Sequence, residues 1–415
     1  MTKHLLKIIW AERKVNAWIV LELILAFTIL WFSVDYLFFM ATRTLEPRGF
    51  NTDHTYTIHV SLKDEGRVAF MSGDSAAKRQ YQQELQWIFG RIEQHPAIEA
   101  LAMSTYASPY SESFMSQNYE LDTGSVSSRT KFVTPGFFDV FRIHIAHGRP
   151  FTHEEALLGN VAVVSGDRDN MFYKIPLTNL TELQHNQQQL GITGVAARIK
   201  RSEFENYGRV VYRPFQPDKH LQPYANISIR VKPQADKDFI NLFREEMREQ
   251  LEIGQYFLSG ITCMSDTRRD YIRWNGFDSN LKSTYAITAF LLINIFLGVV
   301  GTFWFRVHQR RSEIGLRMAM GAARNRVRHL FMAESVLLLL LASVVATVIS
   351  INISLSELLV ELGLPMARSQ SGNLFQYIFN YSFTLLILTL TGILAVWYPA
   401  KQASRLQPAD ALRDE

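Results

Sequence analysis

Few side chains in this 415-residue sequence could do chemistry, and their spacing is wrong for it. His144, His147 and His153 are close enough in sequence to gather a metal ion. The first two flank a turn, however, and no carboxylates with ligand spacing accompany them. Ordinary loop histidines are expected. The dipeptide Gly-Lys is absent, and with it any phosphate-cradling G-x-x-x-x-G-K-[ST] loop; H-E-x-x-H and G-x-S-x-G are also missing. One cysteine, Cys263, excludes an internal disulfide and a Cys-based zinc site. No catalytic, metal or directly bound cofactor site is expected. What stands out is charge in unusual places. Seven arginines lie between 306 and 328 beside a single acid, Glu313, and Glu22, Asp35 and Glu334 sit within apolar runs.

The elements that carry these charges explain them. Overall composition looks globular, 47% hydrophobic and 20% charged with net charge +4, but the apolar residues gather in four runs: 16–40, 284–305, 330–353 and 378–398. About 20 mostly apolar residues cross the hydrocarbon core, so each run is expected to be a transmembrane helix. The first follows a leader, 1–15, with Lys3, Lys7, Arg13 and Lys14; it is too long for a cleaved signal and reads as an anchor. Lys and Arg are frequent in the leader, in 306–329 and in the tail 399–415, while the loop 354–377 has only Arg368. The positive-inside rule then places both termini and 306–329 in the cytoplasm, with 41–283 and 354–377 outside. Intramembrane acids must face protein or sit near an interface. Glu22 is expected to pack against other helices or snorkel, with a functional polar contact as the alternative. The place of Asp35, close to the outer end, is compatible with the interface. The basic balance belongs to membrane flanks, and no nucleic-acid partner is expected.

Residues 41–283 read as a large α/β (α+β) domain inserted between the first and second spans. Tyr56–Leu62 alternates like a strand; Tyr81, Leu85, Ile88 and Ile92 mark one helix face; Ile98–Tyr106 is again extended. The pattern recurs as Asn226–Val231, then Phe239, Phe243, Met247 and Leu251 on one face, then Tyr256–Met264. These two strand–helix–strand units are expected to pack together, with 107–215 inserted between them. Residues 266–283 are either a helical stalk or a solvated connector.

In 306–329, Arg317, Arg324 and Arg328 share one helical face, and Leu316, Met320, Ala323, Val327 and Leu330 share another. A basic amphipathic helix along the membrane surface is expected. Gly315 and Gly321 weaken it by about 1 kcal/mol each, and a break at Gly321-Ala322 would turn the chain into the third span.

The string RRSEIGLRMAMGAARNRVRHLFMAESVLLLL resembles the membrane domain of the FtsX/MacB superfamily, the type VII ABC transporters, and WYPAKQASRLQPADALRDE resembles that family's closing segment. VTPGFFDVFRIHIAHGRPFTHEE, followed by NVAVVSGDRDNMFY, is similar to the MacB-type periplasmic core domain. One departure is the Gln-rich stretch around 176–194, where the family has a compact Gly-rich hairpin. The resemblance implies a four-span bacterial inner-membrane permease. It implies a homodimer, or a heterodimer with a related permease, docked on a separate cytoplasmic ABC ATPase that supplies ATP. Arg311, Glu313, Ile314, Gly315, Arg317, Gly321 and Ala322 would couple to that motor, while Glu22 and Glu334 are intramembrane polar groups. Such a mechanotransmitter would export a peptide, antibiotic or toxin, with a periplasmic adaptor and an outer-membrane channel as further partners. Lipoprotein release and FtsX-like control of cell-wall hydrolases are the alternatives.

Overall fold

A computed structural model describes residues 13–121, 124–165, 182–220, 222, 224–320, 323–355 and 374–403. They form two units: a membrane unit, up to Thr42 and from Asp278 onward, and an inserted unit, Arg43–Phe277.

The membrane unit is built on the helices Arg13–Leu45, Phe277–Gln309, Arg324–Leu355 and Leu374–Ala403. Among the described residues, these four are long and apolar enough to cross a membrane. Each overruns its apolar run at both ends, because a helix continues into the polar flanks while its backbone bonds are satisfied. Phe27, Leu30, Phe303, Leu338 and Leu388 fill the interior. Ala342, Ala346 and Ala395 bring the third and fourth helices close, as small residues do between membrane helices. Phe290, Ile293 and Leu297 of the second span face outward.

The inserted unit begins with β1 (Thr55–Leu62), α1 (Asp64–Met71), α2 (Ser75–Glu93) and β2 (Ile98–Thr105). Next come β3 (Met115–Leu121), β4 (Gly124–Val133), α3 (Phe137–Val140), β5 (Ile145–Gly148), α4 (His153–Leu158) and β6 (Val161–Ser165). Then follow β7 (Glu182–His185), β8 (Gln188–Ala196), β9 (Val210–Pro214) and α5 (Pro217–His220). The unit closes with β10 (Tyr224–Val231), α6 (Phe239–Met247), β11 (Tyr256–Cys263) and α7 (Met264–Trp274).

The two terminal strand–helix–strand units do combine. Strand order β11-β1-β10-β2, antiparallel throughout, is that of the ferredoxin-like split βαβ. Ile88 and Ile92 of α2 and Phe243 and Met247 of α6 cover Ile58, Val60, Ile227 and Ile229 of the sheet.

The 107–215 insert is a small closed barrel. Pairing runs β4-β3-β7-β8-β6-β9 and returns to β4, which meets β9 in parallel from Arg129↔Val210 to Val133↔Pro214. Strand alternation sends Ala162 and Val164 inward, to Tyr119, Leu183, Leu190 and Val211, and Val163 outward to the core around Phe137 and Phe141. The Gln-rich departure is in part a structural element. Residues 176–181 lie outside the described ones, but β7 and β8 form a hairpin turning at Asn186-Gln187, both at positive φ (49° and 64°). Two-residue hairpin turns demand that conformation, which glycine more often supplies.

The segment 266–283 is helical on both sides of a break: α7 ends at Trp274 with Asn275 as its cap, Gly276 takes φ 68°, and the second span's helix starts at Phe277.

Candidate functional site

The expected coupling segment is a short helix, Arg311–Ala319, between the second and third spans. Its buried face differs from the expected stripe. Ile314 and Gly315 are buried, Ile314 within the core of the spans, and Met318 packs on that core. Leu316 and Met320 are 53% and 73% exposed. The stripe assumed one continuous helix, but this helix ends at Ala319 and the next starts at Arg324, so Ala323, Val327 and Leu330 belong to another axis. Arg311, Glu313 and Arg317 occupy positions on the short helix. Gly321 and Ala322 lie outside the described residues.

Beside this helix lies a buried charge network that was not legible as such. Arg306 and Glu334 are 2% and 1% exposed. Arg306 Nη1 donates to Glu334 Oε1 at 2.7 Å, Arg306 Nη2 donates to Asn16 Oδ1, and Arg310 Nη1 donates to Glu334 Oε2 at 3.2 Å. One carboxylate thus meets two guanidiniums, and the first, second and third spans are joined at one point. Charges removed from water persist only with such partners. In the sequence Arg306 and Arg310 read as topogenic charges, and nothing there marks Asn16. The available signal was Glu334, an acid in an apolar run that required a cation.

The other intramembrane acids are also placed. Glu22 is half-buried against Gly298, where a Cβ would stand 2.3 Å from Glu22 Oε1, so the glycine makes its room. Asp35, near the outer end of the first span, faces protein: it is 7% exposed and accepts from Gln376 Nε2 at 2.9 Å and Asn380 Nδ2 at 2.5 Å. Neutral amides of the fourth span hold it. His144 lies in the loop before β5, His147 on β5 and His153 at the start of α4, all exposed.

In the inserted unit, the segment 198–208 grips both chain ends of the domain. Lys200 is fully buried, with Nζ donating to the Arg43 carbonyl at 2.7 Å and pairing with Glu46 at 2.9 Å. Its own N–H donates to the Arg48 carbonyl at 2.9 Å, and Tyr207 Oη donates to the Pro47 carbonyl at 2.9 Å. Gly49, at φ 83°, approaches so closely that a Cβ there would lie 2.2 Å from the Arg198 carbonyl oxygen. On the exit side, Arg268 Nε donates to Glu203, Tyr271 Oη donates to Glu205, and Phe204 stacks on Phe277 at 4.7 Å. Burial works to raise the Glu46 pKa, but hydrogen bonding and charge from Lys200 and Arg43 outweigh it and leave it below the usual value. Burial, aided by Glu203, pushes the Tyr110 phenol up to about 12, so it stays a neutral acceptor for Arg48 Nη1 at 2.8 Å.

A four-span bundle with a periplasmic-type α/β domain between its first two spans defines an ABC-type permease of the inner membrane. More particularly, the chain belongs to the FtsX/MacB-type permeases: the MacB-like periplasmic core domain matches residues 49–241, and the FtsX-like permease C-terminal region matches 285–408. Its relatives include the macrolide export ATP-binding/permease protein MacB of Escherichia coli K12, 28% identical over 318 residues, covering 72% of this chain and 46% of that protein. The same-named Shigella flexneri protein matches with the same figures. The chain spans about half the length of the curated relatives it matches, and the matched part is their permease region. Among solved structures, the periplasmic region of MacB from Actinobacillus actinomycetemcomitans is 16% identical, covering 55% of this chain and 97% of that one, with a TM-score of 0.32. That score is too low for a comparison of geometry.

Proposed function

We propose that this permease is a mechanotransmitter. A separate cytoplasmic ABC ATPase docks on the Arg311–Ala319 helix, and its ATP-driven movement is relayed through the spans to the periplasmic domain. Both termini face the cytoplasm, and the chain works as a homodimer or with a related permease. The cargo is a peptide, antibiotic or toxin, in keeping with the macrolide export named for the relatives, with an adaptor and an outer-membrane channel as partners. The observation that carries the reading is the Arg306–Glu334–Asn16 network beside the short helix. A push on that helix meets three spans held at one point, as coupling through packed elements requires. Exposed Leu316 and Met320 supply apolar surface for a motor.

The test is purification of the full chain from its native membranes, probing for a P-loop ATPase. Leu316→Asp with Met320→Asp should release that ATPase and end its stimulation while membrane insertion stays intact. If the double variant bound and stimulated its ATPase normally, the docking surface would be misplaced.

A further inference from the structure

We propose that the periplasmic domain binds an uncharged, hydroxyl- and amide-bearing ligand with the chemistry of an N-acetylated sugar, in the cavity at the end of β2. That cavity, of about 140 Å³, opens where β2 passes from the ferredoxin-like sheet to the barrel strand β4.

Three features set its chemistry. Its wall is rich in hydroxyls, from Ser104, Thr105, Ser108, Ser111 and Ser113, while Leu85, Met103 and Phe215 give an apolar floor. A sugar ring offers the same pairing of hydroxylated edge and apolar face. Second, no Asp, Glu, Lys or Arg lines it among the described residues, so a charged ligand would lose its hydration without gaining a counter-charge. Third, part of its polar lining is unspent, although Ser108 and Ser111 bond locally to Pro109 and Ser113. Among the described residues, the side chains of Ser104, Thr105 and Gln222 have no hydrogen bond to the rest of the chain, and Asn226 has its oxygen held by His59 at 2.8 Å, which leaves the amide N–H₂.

His220 is the fixed donor. Its Nδ1 accepts the Gln216 backbone N–H at 2.9 Å, which leaves the proton on Nε2. The ring stacks on Phe132 with centroids 3.8 Å apart. Burial and the neighbouring Arg213 hold its pKa down to about 4, so the ring is neutral across the working range. Tyr106, in the same wall, is held at φ 59°, a conformation that bulky residues keep only where surroundings impose it and that concentrates at ligand sites.

The site is independent of how the motor couples, and it is tested without one. The full chain in lipid nanodiscs is titrated with N-acetylglucosamine, glucosamine, glucuronate and N-acetyl-serinamide, reading saturation-transfer NMR. N-acetylglucosamine should saturate at millimolar concentration, and the cationic and anionic sugars should bind at least about tenfold more weakly. Gln222→Leu should weaken binding about fivefold or more. Ser113 is exposed, so Ser113→Trp should close the mouth and abolish binding without disturbing the core. Absence of saturation up to about 50 mM, equal binding of the charged sugars, or binding unchanged in Ser113→Trp would each overturn the proposal. Equal binding of N-acetyl-serinamide would overturn its assignment to a sugar.

Discussion

Replacing Lys200 with Met tests the clamp that holds both ends of the periplasmic domain. Met fills the volume of the lysine stem, so the change removes the ammonium and little else. Lost are a hydrogen bond of 2.7 Å to the Arg43 carbonyl and an ion pair of 2.9 Å to Glu46. Lys200 has a fully buried side chain, while that of Glu46 is 23% exposed and keeps Arg43 at 3.1 Å. The carboxylate is therefore neither stranded nor deeply desolvated, and the loss falls below that of a fully buried pair, at about 3 kcal/mol. For a domain of this size each kcal/mol moves the thermal midpoint by about 2–4 °C, giving a fall of about 6–12 °C. The assay is thermal unfolding of the full chain in nanodiscs, with amide hydrogen exchange read peptide by peptide. Exchange should quicken in 43–50 and 198–208 and stay unchanged in the sheet β11-β1-β10-β2. Lys63→Met, which breaks a surface pair with Glu252, is the control and should leave the midpoint unmoved. A midpoint for Lys200→Met equal to that control, with unaltered exchange at both segments, would refute the clamp.

Three further outcomes follow from the same structure. Glu334→Gln removes the negative charge that Arg306 and Arg310 share, and should cost about 3–5 kcal/mol, lowering the amount of folded protein recovered from membranes; adding Arg306→Met should restore much of it, and a double variant worse than the single would be evidence against the network. Gln187→Gly relieves a positive φ of 64° in the β7–β8 turn and should stabilise the domain by about 1 kcal/mol; a drop in thermal midpoint would contradict the turn geometry. His220 has its pKa lowered from 6.5 to about 4, chiefly by burial, so the unfolded chain binds a proton that the folded one refuses, and stability falls as pH drops from 6.5 toward 4. His220→Phe should flatten that part of the stability–pH curve; an unchanged slope would count against a buried neutral ring.

The spans were legible because a run of twenty apolar residues has one stable fate in lipid. The two strand–helix–strand units were legible because α2 and α6 bury one face each, at helical spacing. The barrel was not. Its closure depends on β4 meeting β9, segments that pair in parallel across some eighty intervening residues, and periodicity reports which face a strand buries, not which strand lies beside it. The charge network was hidden for a related reason. Arg306 follows the second apolar run directly, where a topology signal and a buried partner look alike, and only the distance to Glu334 separates them. The partners of Asp35 are hidden in the same way, since its amides come from a span more than three hundred residues away.

The Arg306 network also bears on how the protein is made. The second span emerges carrying a guanidinium whose carboxylate partner, Glu334, belongs to a helix not yet synthesised, while Asn16 is already in the membrane. Until the third span arrives, Arg306 is held by the aqueous boundary, which keeps the second span from sliding deeper into the bilayer. Arrival of Glu334 lets the pair leave water together. The network therefore cannot close until the third span, which carries Glu334, is in place.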